Sequence, residues 1–264
     1  MPVGIGVALP GPYLPAKGKI ELMSGSPGWA EIDLEAELSR AYRLPVVLEH
    51  DANCGALAEL WYGGGDTGRN LLFVNIADGI GAGIITNGHL YRGQLGIAGE
   101  IGHMSINFNG PRCECGNRGC MELYCSLKRL KENYDEIRLS QNAAEENGKT
   151  AEEILRSAAG GDECAAEALR RCVSYLGIGL ANIVNIIDPG TIILSDRFAE
   201  AGETLVSLVW ENIRRYLLPD IAAGVTVRLA SEPRETIMLR GSAIAVMERL
   251  LHSPAAHFGI VTDM

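Results

Sequence analysis

Aromatic residues are scarce in this chain: they make up 6% of its 264 positions, with only four phenylalanines among them, so aliphatic side chains have to fill the interior. Long apolar runs are missing too. No stretch approaches the roughly 20 apolar residues of a transmembrane helix. The opening MPVGIGVALPGPYLPAKGK lacks the charged start and small-residue cleavage site of a signal peptide. These absences predict a soluble cytoplasmic protein with no membrane partner. A basic surplus is also lacking, since 23 Lys and Arg face 33 Asp and Glu for a net charge of −10. Phosphate neutralisation by Lys and Arg dominates affinity for nucleic acid, so this chain is not expected to grip DNA by itself. No Walker-type phosphate loop is present either.

What is there suits a globular protein of one large domain or two modest ones, 47% hydrophobic. VGIGVALPG reads as a buried strand broken by Pro-Gly, and IDLEAELSRAY as an amphipathic helix before the strand VVLEH. DANCGALAELWYGGG starts on a capping-type Asp51 and stops on glycines, which predicts a helix. LLFVNIA is a strand and DGIGAG a tight glycine turn, followed by two strands joined at Asn87-Gly88, a strong hairpin signal. Residues 126–185 read as helical with one polar break near QNAAEENGKT. TIILS and VTVRLAS are strands, and GSAIAVMERLL is a closing helix with Ser242 as its expected cap. This order predicts an α/β or α+β core. The chain opens directly on a buried-type strand, as a fragment or a late start would; were this its natural start, the strand would present an unpaired edge and favour association.

Seven cysteines is an odd number, and clustered thiols in a reducing compartment point to metal rather than to disulfides. Cys54, Cys125, Cys164 and Cys172 fall in helix-like stretches and read as small core residues. The other three lie with one histidine in EIGHMSINFNGPRCECGNRGC, residues 100–120, with the spacing H-x9-C-x-C-x4-C. Zinc takes four N and S ligands in a tetrahedron, so His103, Cys113, Cys115 and Cys120 would close its shell. A closed shell has no position for an activated water, which makes the expected Zn²⁺ structural and speaks against a zinc hydrolase. Gly110, Gly116 and Gly119 would let the backbone fold tightly around the ion.

GEIGHM followed by C-x-C-G-N-x-G-C-x-E resembles the signature of the ROK family of repressors and sugar kinases. GIGVALPGP, PVVLEHDAN, the glycine turn before IITNGHLYRG and LANIVNIIDPGTIIL extend the resemblance from residue 3 to about residue 250. It implies the α/β, actin-like (ribonuclease H-like) sugar kinase fold, with a sugar bound in the cleft between two lobes. On that fold residues 1–48 would be the remnant of an N-terminal lobe that is incomplete at its start, because the chain lacks the family's opening phosphate loop. Residues 49–240 would form the large C-terminal lobe with the zinc loop and a helical insertion. Residues 241–264 would be a helix returning toward the first lobe.

The resemblance also implies a set of sugar contacts. Carboxylates and imidazole suit a polyol, whose hydroxyls need fixed donors and acceptors. Glu100, His103 and Glu122 flank or belong to the zinc set, and Asp51 follows the strand VVLEH, where α/β folds place ligands. In kinases of the family the residue matching Asp51 is the base that takes the proton from the attacking hydroxyl. His50 stands where kinases usually carry Asn, whereas transcriptional members often have His-Asp. An asparagine that many members place on the sugar is also missing, with Gly25 near its position. His89, His252 and His257 read as surface residues.

The nucleotide motifs depart from the kinase pattern. The family's phosphate turn reads G-T-G-I-G-G-G, and this chain has A-D-G-I-G-A-G, which turns the threonine into Asp78 and aims a negative charge at a polyanion. Kinases continue TIIL with glycines beside the adenosine, whereas here Ser195, Asp196 and Arg197 follow Leu194 and are expected to occupy that space. The expected function is therefore the sugar-sensing part of a ROK transcriptional regulator of the xylose-repressor or NagC type. Its partners would be a small-molecule sugar effector and further copies of the chain, as a homodimer or homotetramer, with DNA bound only by an N-terminal domain outside this chain. The alternative is an ATP-dependent kinase acting on a hexose.

Overall fold

The computed structural model describes residues 2–11, 13–14, 19–20, 28, 32–63, 70–141 and 148–252; Gly25, the polar break at 142–147 and His257 lie outside them. The chain forms two compact units, the first from 1–67, 83–99 and 231–264 and the second from 68–82 and 100–230. Among the described residues no helix is long and apolar enough to cross a membrane.

The first unit begins with β1 (Ile5–Leu9), the short antiparallel pair β2 (Tyr13–Leu14) and β3 (Lys19–Ile20), α1 (Leu34–Tyr42), β4 (Val46–His50) and α2 (Asp51–Tyr62). β1 and β4 run parallel, with Ile5 opposite Val46 and Leu9 opposite His50. Asp33 caps α1 by accepting from the Ala36 amide at 3.0 Å. The expected cap of α2 is shifted by one residue: His50 holds the cap position in extended backbone, and Asp51 is the first helical residue.

β5 (Leu71–Ile76) belongs to the second unit, whereas β6 (Ile80–Thr86) starts there and runs on into the first. β6 then turns through Asn87 and Gly88, both at positive φ, into β7 (His89–Leu90), which is the hairpin the sequence predicts. The expected glycine turn over DGIGAG is much shorter than the motif. It is confined to Ala77–Gly79, and Gly81 to Gly83 are strand residues. The physical reason at Gly83 is packing: a Cβ there would collide with the Ala52 carbonyl of α2, so the small residue serves close approach rather than a bend.

The second unit continues with α3 (Glu122–Cys125), α4 (Leu127–Ser140), α5 (Ala151–Ala159), α6 (Glu163–Ile187), β8 (Thr191–Ser195), α7 (Glu203–Ile213), α8 (Pro219–Gly224) and β9 (Thr226–Leu229). β5, β8 and β9 are parallel, with Leu71 opposite Thr191 and Thr191 opposite Thr226. All six residues of β5 are buried, as expected for a parallel strand covered on both faces. A reciprocal capping box between Thr150 and Glu153 starts α5, and Asp162 caps α6 through the Ala165 amide. Cys54, Cys125 and Cys172 are core residues as expected, but Cys164 is half-buried and donates to Gln141 Oε1 at 3.2 Å.

α9 (Arg234–His252) closes the first unit and is longer than the sequence suggests. Ser242 therefore sits inside the helix, where its hydroxyl donates to the Leu239 carbonyl at 3.0 Å, and does not cap it. Val47, Leu57, Ile244, Ala245 and Val246 form an apolar cluster that joins β4, α2 and α9. A Cβ at Gly241 would collide with the Cys54 carbonyl, and one at Gly6 with the Ser242 carbonyl, so glycine sets the spacing of α9 against both α2 and β1. Gly241→Ala is expected to destabilise the protein by about 1–3 kcal/mol through overpacking. Urea denaturation measures this, and a loss below about 0.5 kcal/mol, typical of an unconstrained surface site, would contradict the packing account.

Candidate functional site

A tightly tied loop in the second unit carries four side chains of the types that can ligate metal. Its backbone is closed by the Ile106 amide on the Gly119 carbonyl, the Cys113 amide on the Asn117 carbonyl and the Met121 amide on the Met104 carbonyl, each at 2.9 to 3.0 Å. Gly116 and Gly119 take positive φ of 92° and 65°, and at Gly119 and Gly110 a Cβ would also strike the Asn107 carbonyl and the Tyr124 hydroxyl. The loop brings His103, Cys113, Cys115 and Cys120 together, with their ligand atoms all within 4.8 Å of one another. Cys115 Sγ and Cys120 Sγ are 3.6 Å apart, and Cys113 Sγ is 3.7 Å from His103 Nδ1. This cluster could hold a metal ion, with Nδ1 as the histidine donor that faces the thiols.

Glu100 and Glu122 stand beside the same histidine. Glu122 Oε1 is 3.1 Å from His103 Nδ1 and accepts from Cys113 Sγ at 3.1 Å, while Glu100 Oε2 is 3.9 Å from Nε2. In the ion-free protein the hydrogen bond to Glu122 raises the His103 pKa to about 9, against an opposing effect of burial. Burial acts to raise the Glu122 pKa, yet the His103 and Cys113 hydrogen bonds hold it below its ordinary value. Burial pushes the Cys113 and Cys120 thiols up, whereas the Asn117 amide beside exposed Cys115 pulls that thiol down. Of the three thiols Cys115 is thus the one most readily ionised.

His50 and Asp51 sit in the first unit at the junction of β4 and α2, and both are largely buried. Asp51 Oδ1 accepts from the Ala52 amide at 2.7 Å and lies 3.8 Å from His50 Nε2, and Oδ2 is 3.7 Å from Arg234 Nη2. Next to them Glu49, nearly buried, accepts from Asn53 Nδ2 at 2.8 Å and Arg92 Nε at 2.9 Å, and Arg92 reaches Glu248 at 3.3 Å. His50, Glu49, Arg92 and Glu248 line a cavity of about 420 Å³. Arg234 and this ion network escaped the sequence reading, because nothing in local spacing links α9 to the start of α2.

Of the altered nucleotide motifs, Asp78 is exposed at the turn between β5 and β6. Ser195 is buried as the last residue of β8, and Arg197 points to surface acids, 3.9 Å from Glu152 and 3.7 Å from Glu200. Asp196 has φ 66° and ψ −155°, a region almost reserved for glycine and costing other residues about 1–3 kcal/mol. A further contact was not foreseen. Gly102, just before His103, would place a Cβ 2.5 Å from the Ile80 carbonyl and 3.3 Å from Glu122 Oε2, so the start of β6 packs directly against the histidine loop.

Comparison with known proteins gives these features a setting. A family model described as the ROK family matches residues 2–248. The xylose repressor of Bacillus subtilis (strain 168) is 40% identical over 199 residues, which cover 75% of this chain and 49% of the repressor's length. The structure of a ROK family glucokinase from Streptomyces griseus in complex with glucose and AMPPNP superposes with a TM-score of 0.82 at 25% identity, covering 92% of this chain and 81% of that one. A ROK family transcriptional regulator, a homolog of the E. coli MLC protein, superposes at 0.79 with 26% identity over 98% of this chain and 64% of that one. The fold is the α/β, actin-like fold that these kinases and regulators share.

The His103–Glu122 pair has a pH signature in protein stripped of metal. Its folded histidine pKa is raised from 6.5 to about 9, so its stabilisation is complete below about pH 6.5 and fades as pH rises through about 9. Glu122→Gln should flatten that part of the stability profile and return the His103 NMR titration midpoint toward 6.5. An unchanged midpoint would show that Glu122 is not the partner.

Proposed function

The chain belongs to the ROK family, and on that footing we propose that it is the sugar-binding part of a transcriptional regulator, sensing its ligand without phosphorylating it. The observation that carries this reading is the chemistry of the nucleotide-motif positions. Where kinases of the family present a hydroxyl and glycines, this chain has an exposed carboxylate at Asp78 and side chains at Ser195, Asp196 and Arg197. A carboxylate facing triphosphate opposes binding, and phosphoryl transfer depends on stabilising that charge. The 40% identity to a xylose repressor supports the same reading, and DNA contact is assigned to a segment outside this acidic chain. The residues assigned to sugar hydroxyls are His50, Asp51, Glu100, His103 and Glu122.

The metal is proposed to be structural Zn²⁺. Tetrahedral zinc with S ligands at 2.3 Å and N at 2.0–2.1 Å has S···S edges of about 3.8 Å and S···N edges of about 3.6 Å. The Cys115–Cys120 separation of 3.6 Å and the Cys113–His103 separation of 3.7 Å suit those edges. Bound there, the ion would fix the loop and engage Nδ1, directing Nε2 and Glu100 outward as donor and acceptor for a polyol. Cys3His leaves no open position, so the ion takes no part in bond making.

The competing reading is an ATP-dependent sugar kinase with Asp51 as base, favoured by the superposition on the glucokinase. Isothermal titration separates the two. D-xylose, D-glucose or a related sugar should bind, Asp51→Asn should weaken that binding about tenfold or more, and ATP with Mg²⁺ should give no heat. Turnover of any hexose would overturn the regulator reading. The purified protein should also retain about one equivalent of zinc per chain by plasma mass spectrometry. Cys120→Ser should lose it together with thermal stability, and full retention would remove Cys120 from the ligand set.

A further inference from the structure

Arg234 is the first residue of α9, so its cation stands at the helix end where the backbone dipole disfavours positive charge. That placement calls for a local anion, and Asp51 is there, with Oδ2 3.7 Å from Nη2. The other oxygen is also engaged, since Oδ1 takes the Ala52 amide at 2.7 Å and faces His50 Nε2 at 3.8 Å. Both oxygens of the carboxylate are therefore oriented by the protein.

The helices do not need this contact to stay together. Glu59, 1% exposed in α2, accepts from the Ser231 amide at 2.6 Å and the Ser231 hydroxyl at 2.8 Å, which ties the segment leading into α9. The close approach at Gly241 and Cys54 fixes the crossing a second time. An ion pair at 3.7 Å with a 41% exposed arginine adds little to stability beside these. It does, however, reach the second oxygen of a carboxylate that the sugar-binding reading assigns to a hydroxyl.

We propose that Arg234 is the positioning residue of Asp51: it holds the carboxylate rotamer that receives the sugar hydroxyl, and so sets affinity without touching the sugar. The proposal rests on the sugar-binding reading and concerns the same site. The test is titration of wild type, Arg234→Ala, Arg234→Lys, Asp51→Asn and the double variant with a panel of free and phosphorylated aldopentoses and aldohexoses, starting from D-xylose and D-glucose. Arg234→Ala should weaken binding about tenfold with an unchanged melting temperature, Lys should restore part of the loss, and Ala should cost nothing further once Asp51 is Asn. Binding by Arg234→Ala within about twofold of wild type would overturn the proposal. An equal loss in the Asp51→Asn background would also overturn it, because Arg234 would then act independently of Asp51. Failure of the wild type to bind any member of the panel would instead overturn the sugar-binding reading, and this shows before any variant is compared.

Discussion

The imidazole of His103 has two nitrogens, and much of the second unit's chemistry depends on which way each one points. Nδ1 lies among Cys113 Sγ and Glu122 Oε1, at 3.7 and 3.1 Å, and this leaves Nε2 on the side of Glu100. A ring with one nitrogen committed to the cluster can offer only the other to a ligand, and its hydrogen-bonding role is set by what the first one holds. The backbone closures from Ile106 to Met121 serve that orientation, because they bring Cys113, Cys115 and Cys120 back to a histidine that precedes them in the chain. Glu122 belongs to the same constraint. It touches both the ring and Cys113, and it lies 3.8 Å from where a Cβ at Gly79 would stand, so the turn after β5 is packed against the group that steadies the ring.

The sequence exposed this cluster plainly because metal ligation demands particular side chains at short spacing, and H-x9-C-x-C-x4-C meets that demand within one loop. The Asn87-Gly88 hairpin was legible for the same reason, since it is decided by two adjacent residues. Features set by distant packing were not. DGIGAG reads as a tight turn on composition, yet Gly83 is small because α2 needs the space. Ser242 looks like a cap, and only the extension of α9 back to Arg234 makes it an interior residue. The pairing of Arg234 with Asp51 and the Glu49–Arg92–Glu248 network join residues far apart in sequence, and no periodicity encodes such meetings.

Asp196 shows how a backbone can keep one role while its side chain gives up another. Its φ of 66° and ψ of −155° suit glycine, so an aspartate stands here in a conformation that glycine adopts most easily. Strain of this kind persists only where the surroundings over-determine the geometry, and here Ser195 is buried just before it and Phe198 two residues after. Asp78 is the electrostatic counterpart, where an exposed carboxylate stands in place of a hydroxyl on a turn whose backbone still closes through the Ala77 amide and the Gly79 carbonyl. Both changes leave the main chain usable and act on what could approach it. On the proposed reading, a scaffold suited to phosphoryl transfer has kept its architecture and its sugar-facing acids, and has lost nucleotide affinity through added charge and bulk at two turns. Such a route needs no rebuilding of the core.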